Sequence, residues 1–291
     1  MAKKQILYQK TGKGFEMNIK KNFINSFRKI NSFYHLSDKK YVSDIMIDII
    51  IPTCSKDYRT LAMTIDSVRK NVRHPIDKIM IVAPRGDLEK FCEEQNLVFI
   101  DENIVLPITV RDINYNPNGI NRSGWIFQQL LKLNSDTLTD KEYFLIVDSD
   151  TVFSRPQTFI NKNGKMLLNC SDEYHEPYFD TYKKLIPLDK RYKKSFVCHH
   201  MLFSVKYLRE LKKVIENNTG MIWWRAILSN LDNNECSCFS EYETYGNYMF
   251  FYHNDKIYLR YWYNKAVLLK DFDKIKHKDA YKSISMHAYL Q

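Results

Sequence analysis

Residues 142–153, Glu-Tyr-Phe-Leu-Ile-Val-Asp-Ser-Asp-Thr-Val-Phe, place an unbroken apolar run directly before two aspartates. A half-exposed strand alternates polar and apolar residues, so the run from Tyr143 to Val147 predicts a strand that is covered on both faces. Asp148 and Asp150 follow it, and in an extended chain side chains two residues apart project to the same side. In open α/β sheets, ligands bind at this carboxyl end of the strands.

Two carboxylates at this position have two interpretations. Together they hold a divalent cation that keeps some waters and takes other ligands from a diphosphate, where the ion neutralises charge on a departing phosphate oxygen. Alternatively, Asp148 caps a turn and Asp150 is solvated, because Asp-Ser-Asp is also common in turns. The buried strand before the aspartates favours the metal site.

The rest of the chain alternates between strands and helices. Strands are predicted at 47–51, 78–82 and 98–100, with helices at 57–72 and 87–95 between them. This alternation predicts an α/β fold with a parallel, right-handed, Rossmann-like sheet. No G-x-G-x-x-G follows the first strand, which argues against a nicotinamide dinucleotide fold. Further helices are predicted at 122–133, 206–216 and 221–231, and further strands at 165–169, 196–203, 257–262 and 266–269.

The composition is that of a globular protein. A content of 44% hydrophobic and 14% aromatic residues excludes wholesale disorder in a chain of 291 residues. The six cysteines form no C-x-x-C pair, which predicts reduced thiols. No apolar run approaches the roughly 18 residues that cross a bilayer, and no signal-peptide pattern is present. We therefore expect a cytoplasmic protein that is soluble or peripheral to a membrane.

The net charge of +10 is concentrated in residues 1–40, which carry ten of the lysines and arginines against two acidic residues. Phe15, Ile19, Phe23 and Phe27 recur there at intervals of four, which predicts a basic amphipathic helix. This helix either lies on the anionic inner face of the cytoplasmic membrane or folds its aromatic side onto the rest of the protein. The remaining chain is nearly neutral, so we expect no nucleic-acid partner.

Several motifs resemble those of known glycosyltransferases. Residues 47–53 (Ile-Asp-Ile-Ile-Ile-Pro-Thr) and 144–150 (Phe-Leu-Ile-Val-Asp-Ser-Asp) resemble the nucleotide-binding half of a GT-A glycosyltransferase. Within that superfamily, residues 124–130, 199–203, 240–243 and 285–287 resemble an uncharacterised bacterial family of surface-polysaccharide glycosyltransferases. The resemblance covers roughly residues 45–290 and lies in the order of the motifs.

The resemblance implies a GT-A domain at 41–291, with a nucleotide-binding half at about 45–155 and an acceptor-binding half at about 156–291. The implied activity is metal-dependent transfer of a sugar from a nucleoside diphosphate sugar, with a UDP-sugar favoured. The acceptor would be a saccharide or a lipid-linked saccharide in bacterial capsule or lipopolysaccharide synthesis. The implied cofactor is Mn²⁺ or Mg²⁺, held by Asp148, Asp150 and the late His287; imidazole suits Mn²⁺ better than Mg²⁺.

Other site residues follow from their places at strand ends and in the matching motifs. The predicted nucleotide- and sugar-binding residues are Pro52, Thr53, Asp57, Arg85, Trp125, Gln128, Gln129, Ser149 and His200. Several have an ordinary structural alternative: Asp57 caps the following helix, Arg85 is a surface arginine, and Trp125 is plain packing. His199 and His200 are neighbours in a strand and face opposite ways, so at most one points into a given site.

Glu241 and Glu243 are the candidate catalytic bases. Both lie in the first turn of a predicted helix, where inverting GT-A enzymes keep the carboxylate that takes the proton of the acceptor hydroxyl. Ser240 and Glu243 also form a capping-box pattern, which explains Glu243 without catalysis. The helix dipole by itself favours an acid at Glu241.

Two rival functions remain open from the sequence. A sugar nucleotidyltransferase also combines a Rossmann-like sheet with metal-binding carboxylates, but Pro52-Thr53-Cys54-Ser55 lacks the glycine of its phosphate loop. A non-catalytic basic module, recruited to a membrane or to nucleic acid by residues 1–40, is the rival outside enzymes.

Overall fold

The structure is a computed structural model that describes residues 41–188, 192–276 and 281–287. The basic helix predicted within residues 1–40 lies outside these ranges. The strands of the described residues are β1 (Ile47–Pro52), β2 (Ile76–Ala83), β3 (Val98–Asp101), β4 (Tyr143–Val147), β5 (Thr151–Phe153), β6 (Met166–Cys170), β7 (His200–Ser204), β8 (Ile257–Tyr261), β9 (Asn264–Ala266) and β10 (Ser283–Ser285). The α-helices are α1 (Tyr58–Asn71), α2 (Leu88–Glu94), α3 (Ser123–Asn134), α4 (Pro177–Leu185), α5 (Val205–Thr219), α6 (Trp223–Ser229), α7 (Glu241–Tyr252) and α8 (Phe272–Ile275).

A five-stranded sheet in the order β3-β2-β1-β4-β7 forms the centre. The first four strands run parallel, whereas β7 is antiparallel to β4. All of β1 and all but the first residue of β4 are buried, because helices flank the sheet and one hydrophobic core joins them to it. The predicted fold class, an α/β fold with a mostly parallel central sheet, is confirmed.

Two smaller sheets complete the fold. A three-stranded sheet has the order β5-β10-β9, and β6 pairs with β8. Ser285 of β10 lies opposite Thr151 of β5, so the end of the described chain returns to the residues that follow Asp150. No helix within the described ranges is long and apolar enough to cross a membrane.

One predicted boundary is wrong in a way that affects the site. The strand predicted at 196–203 begins only at His200, because His199 has a left-handed backbone with φ of +61°. A non-glycine residue in that region is under backbone strain. The left-handed conformation of His199 turns the chain directly before β7. The last predicted strand is also displaced, since β9 covers 264–266.

Replacing Gly246 with a larger residue is expected to lower the free energy of unfolding. A Cβ atom at Gly246 in α7 would lie 2.5 Å from the buried ring of Phe196. We expect Gly246→Ala to lower the free energy of unfolding by about 1–3 kcal/mol, as overpacking does elsewhere. Gly124→Ala is the matched control, because a Cβ atom at Gly124 in α3 meets nothing within 4 Å. Urea unfolding curves in which both variants match the parent would contradict this close approach.

Candidate active site

A cleft of about 600 Å³ opens at the carboxyl edge of the parallel strands. It begins where β1 leads into Asp57 and where β4 leads into Asp148, which is the edge that the sequence predicted. The predicted site residues that line it are Asp57, Trp125, Gln128, Gln129, Asp148, Ser149, Asp150, Glu241 and His287. Residues far apart in the sequence therefore meet in one cavity.

Asp150 and His287 are direct partners in this cleft. The distance between His287 Nδ1 and Asp150 Oδ2 is 2.9 Å, and both side chains are mostly buried. Strand pairing produces the contact, because β10 lies antiparallel to β5 and the backbone N–H of Met286 donates to the carbonyl of Asp150. The late histidine therefore lies beside the second aspartate of the Asp148-Ser149-Asp150 motif.

Asp148 has partners on both carboxylate oxygens. Its Oδ1 accepts from Lys132 Nζ at 2.6 Å and from the hydroxyl of Tyr242 at 2.8 Å. Its Oδ2 lies 3.3 Å from His199 Nδ1. Although burial opposes ionisation, Lys132 and then His199 hold the pKa of Asp148 well below its usual range. Asp148 is thus ionised, and the neighbouring Lys132 and His199 balance its negative charge.

His199, and not the predicted His200, faces the cleft. Val147 pairs with His200 across the antiparallel strands, so His199 comes next to Asp148. Its Nε2 lies 3.0 Å from Glu173 Oε2, and against the opposing effect of burial Glu173 and Asp148 raise the pKa of His199 to about 10.

His200 points to the other side of β7, into the core. Its two ring nitrogens are occupied by the carbonyl of Cys198 at 2.8 Å and the amide of Asn169 at 2.8 Å. Burial lowers the pKa of His200 to about 3. The prediction of a sugar-binding His200 is corrected, because its side chain packs against Phe153 and Trp262.

Only one of the two candidate bases reaches the cleft. Glu241 lines it, and its Oε1 accepts from Lys132 Nζ at 2.7 Å; burial raises the pKa of Glu241. Glu243 does not line it: its carboxylate accepts from Ser195 Oγ at 2.5 Å and from the backbone N–H of Phe196 at 3.1 Å. Burial raises the pKa of Glu243 to about 7.

One of the two hydrogen bonds of the capping box predicted for Ser240 and Glu243 is present. The Ser240 side chain accepts from the backbone N–H of Glu243 at 3.2 Å, as an N-cap does. The Glu243 carboxylate bonds the segment 195–196 instead of returning to the start of the helix. Glu243 therefore connects α7 to the segment before β7 through hydrogen bonds. The prediction of Glu243 as a candidate base is corrected.

A second cavity of about 310 Å³ lies beside the cleft and shares Lys56, Arg122, Trp125 and Gln128 with it. Pro52 and Thr53 line this cavity, as the sequence predicted for a nucleoside site. Within the described part of the chain, the buried Thr53 Oγ1 and Gln129 Nε2 make no hydrogen bond. Both side chains line a cavity, although these two atoms are themselves enclosed.

The other predicted binding residues divide between the site and the scaffold. Asp57 makes no capping bond to α1, and its Oδ2 accepts from Ser149 Oγ at 3.2 Å; burial raises the pKa of Asp57. Trp125 has the Arg122 guanidinium 4.5 Å from one ring centre and stacks on Tyr115, and it also lines both cavities. Arg85 is exposed and bonds Asp101 at 2.8 Å, outside both cavities.

A separate acidic group lies at the opposite edge of the sheet. Within the described ranges, only Asp48, Asp77 and Asp140 bring three potential metal ligands within 4.8 Å of one another. Lys141 Nζ lies 3.0 Å from Asp77 and 3.1 Å from Asp140, and Asp48 accepts from the backbone N–H of Lys78. Lysine and backbone donors already balance these carboxylates, so the group has the bonding of a structural ion cluster.

Several cleft residues were not predicted from the sequence, among them Lys132, His199 and Glu173. Lys132 lies in the apolar run Leu130-Leu131-Lys132-Leu133, and a lysine on the buried side of a helix was a usable signal. His199 could have been chosen from the pairing register of β7. Glu173 stands in an irregular segment and had no signal in the sequence.

The fold and the cleft define an α/β protein with an acidic, lysine-bridged site at the carboxyl edge of its sheet. Residues 44–289 match the model of the Family of unknown function (DUF6492), and the chain belongs to that family. A search of curated proteins gave no match.

Solved structures with a similar overall arrangement include several glycosyltransferases. The apo form of mouse xyloside xylosyltransferase 1 has a TM-score of 0.47 and 9% identity, over 85% of this chain and 99% of that one. The galactosyltransferase LgtC with donor and acceptor sugar analogues has a TM-score of 0.43 and 12% identity, over 82% and 87% of the chains. Glucosyl-3-phosphoglycerate synthase from Mycobacterium tuberculosis, with Mn²⁺, uridine diphosphate and glucosyl-3-phosphoglycerate, has a TM-score of 0.35 and 12% identity, over 57% and 58%. Similarity at this level assigns no role to any residue.

Proposed function

We propose that this protein is a GT-A glycosyltransferase that moves a sugar from a nucleoside diphosphate sugar to a saccharide or lipid-linked saccharide. The observation that carries the proposal is the convergence of four separate motifs on one cleft. The segments 124–130, 199–203, 240–243 and 285–287, which carry the resemblance, supply Gln129, His199, Glu241 and His287 to its lining. The same resemblance favours a UDP-sugar donor and bacterial envelope polysaccharide as the product.

The nucleoside would occupy the smaller cavity beside the cleft. Thr53 and Gln128 line that cavity and would contact the base or the ribose. The diphosphate would then extend into the cleft past Asp57 and Ser149 towards Asp150. In this arrangement residues 45–155 supply the nucleotide site, as the resemblance implies.

A metal ion fits the cleft by the chemistry of its donors. Asp150 and His287 are the groups that would hold Mn²⁺ or Mg²⁺, and a carboxylate with an imidazole suits Mn²⁺ better. Asp148, the third predicted metal ligand, already has Lys132, Tyr242 and His199 as partners, so in this proposal it would lie beside the ion without binding it. When bound, such an ion neutralises negative charge on the departing diphosphate.

Glu241 is the group in the cleft that would activate the acceptor. Its carboxylate would take the proton of an acceptor hydroxyl as that oxygen bonds the anomeric carbon. The bond from the anomeric carbon to the β-phosphate oxygen breaks at the same time, and the nucleoside diphosphate leaves. This is the role of a base in an inverting transfer.

Residues 1–40 would have one of the two roles predicted from the sequence. The segment would either contact the inner face of the cytoplasmic membrane or fold its aromatic side onto the rest of the protein. Either role is compatible with catalysis in the cytoplasm on a lipid-linked acceptor.

A thermal-shift screen of nucleotide sugars, with Mn²⁺, Mg²⁺ or EDTA, tests the function. A ligand at 100 times its dissociation constant stabilises the native state by about 2.7 kcal/mol, which corresponds to about 5 °C or more for a domain of this size. We expect a shift of this size for one class of nucleotide sugar, and only with a divalent cation present.

The product then identifies the reaction. Release of a nucleoside diphosphate in the presence of the stabilising sugar nucleotide and an acceptor is the expected outcome. Release of pyrophosphate would indicate a nucleotidyltransferase instead. A screen in which no nucleotide sugar shifts the melting temperature under any metal condition would overturn the proposal.

A further inference from the structure

Lys132 joins the two functional ends of the cleft. Its Nζ lies 2.6 Å from Asp148 Oδ1, 2.7 Å from Glu241 Oε1 and 3.3 Å from the hydroxyl of Tyr242. These three oxygens match the three N–H donors of one ammonium group. Asp148 follows β4, whereas Glu241 and Tyr242 begin α7, so a single nitrogen connects Asp148 and Glu241, which are 93 positions apart in the sequence.

The side chain of this lysine is buried. Only 5% of the residue is exposed, and its neighbours Leu130, Leu131 and Leu133 in α3 are all buried. An isolated ammonium group would be costly there, so the two carboxylates are what allow Lys132 to remain charged. The reverse also holds, because without the ammonium group two buried carboxylates would face each other with no shared counter-ion.

Both carboxylates that Lys132 holds line the cleft. Asp148 stands next to Asp150 on the side proposed for the diphosphate, and Glu241 is the proposed base on the acceptor side. A purely structural ion pair has no need for either partner to be accessible from a cavity. Another buried lysine, Lys212, illustrates that case: it bonds Asp136 and Asn134 and does not line the cleft.

We propose that Lys132 is a positioning residue that sets the distance between Glu241 and Asp148 by bonding both carboxylates. It acts through these two groups and fixes the base relative to the donor. The inference rests on the proposed function and adds a residue to it. Repulsion between the carboxylates would otherwise move Glu241 away from the acceptor oxygen.

Steady-state kinetics of Lys132→Met test the proposal, because methionine keeps the length and apolar stem without the charge. We expect kcat to fall by about 100-fold or more, the typical contribution of a positioned base. KM for the donor should change by less than about tenfold, since the nucleoside cavity is untouched. Lys132→Arg keeps the charge on a bulkier group and should recover at least about tenfold of the lost kcat.

A double-variant cycle separates positioning from packing. The double variant combines Lys132→Met with Glu241→Gln. If Lys132 acts through Glu241, kcat of the double variant should be no lower than kcat of the less active single variant. Lys212→Met is the matched control: it breaks a buried ion pair outside the cleft, so the melting temperature should fall while kcat stays within about twofold. If Lys132→Met does not fold, the same cycle is measured with Lys132→Gln, which removes the charge but keeps an amide that donates hydrogen bonds.

Several outcomes would overturn the inference. A kcat of Lys132→Met within about tenfold of the parent would do so, as would losses that multiply in the double variant. An arginine variant no more active than the methionine variant would also contradict it. These outcomes leave the proposed function intact, whereas a parent protein that turns over no nucleotide sugar overturns both.

Discussion

Asp150→Asn is expected to reduce kcat/KM by about 1,000-fold, which corresponds to about 4 kcal/mol of transition-state stabilisation. The reason is that Asp150 is the carboxylate that pairs with His287 in the cleft, and an amide is a much poorer ligand for a divalent cation. The variant keeps the shape of the side chain, so its far-UV circular dichroism and melting temperature should stay close to those of the parent. Turnover measured over a series of Mn²⁺ concentrations gives the loss.

A binding measurement makes this prediction independent of activity. Electron paramagnetic resonance of Mn²⁺ should detect weaker binding to Asp150→Asn than to the parent protein. Asp77→Asn is the control, because Asp77 belongs to the acidic group at the opposite edge of the sheet. If Asp77→Asn lost metal-dependent turnover and Asp150→Asn kept it, the proposed metal site would be at the wrong edge.

Glu241→Gln is expected to lower kcat by about 100- to 10,000-fold, the range in which a general base contributes. Glutamine has the same shape and still accepts a hydrogen bond from Lys132, but it takes no proton at neutral pH. KM for the donor should change little, because Glu241 lies on the acceptor side of the cleft. Initial rates with saturating donor and varied acceptor measure the effect.

Glu243→Gln is the matched control for this variant. Glu243 lies in the same first turn of α7, but its carboxylate bonds Ser195, the backbone of Phe196 and Asn247. Losing part of that network should lower the free energy of unfolding by about 1 kcal/mol or more. We expect kcat to be retained. Equal loss of kcat in the two variants would exclude Glu241 as a specific base.

The central sheet was predictable because burial on both faces leaves a clear pattern. β1 and β4 consist almost wholly of apolar residues, and a parallel strand covered by helices requires such a run. The loops after these strands must then meet at one edge, so Thr53, Asp57, Asp148 and Asp150 could be placed together. The small sheet β5-β10-β9 was harder to foresee, since its strands have only three residues each.

Side-chain direction was harder to predict than position. His199 and His200 are adjacent, and their assignment depends on the register in which β7 pairs with β4. Glu241 and Glu243 lie in one helical turn, and their assignment depends on where the chain before β7 passes. In each pair the residue type suits the chemistry equally well, so the sequence offered no sound basis for choosing His200 over His199 or for separating Glu241 from Glu243.

The alternation of strands and helices and the Asp148-Ser149-Asp150 motif depend on local residue pattern, which the linear sequence contains. From these the α/β class and the acidic edge of the sheet follow. The bridge from Asp148 through Lys132 to Glu241 and the contact of Asp150 with His287 each join residues from distant parts of the chain. Such contacts exist only after β10 has paired with β5 and α3 has packed on α7, because no local interaction brings their atoms within bonding distance.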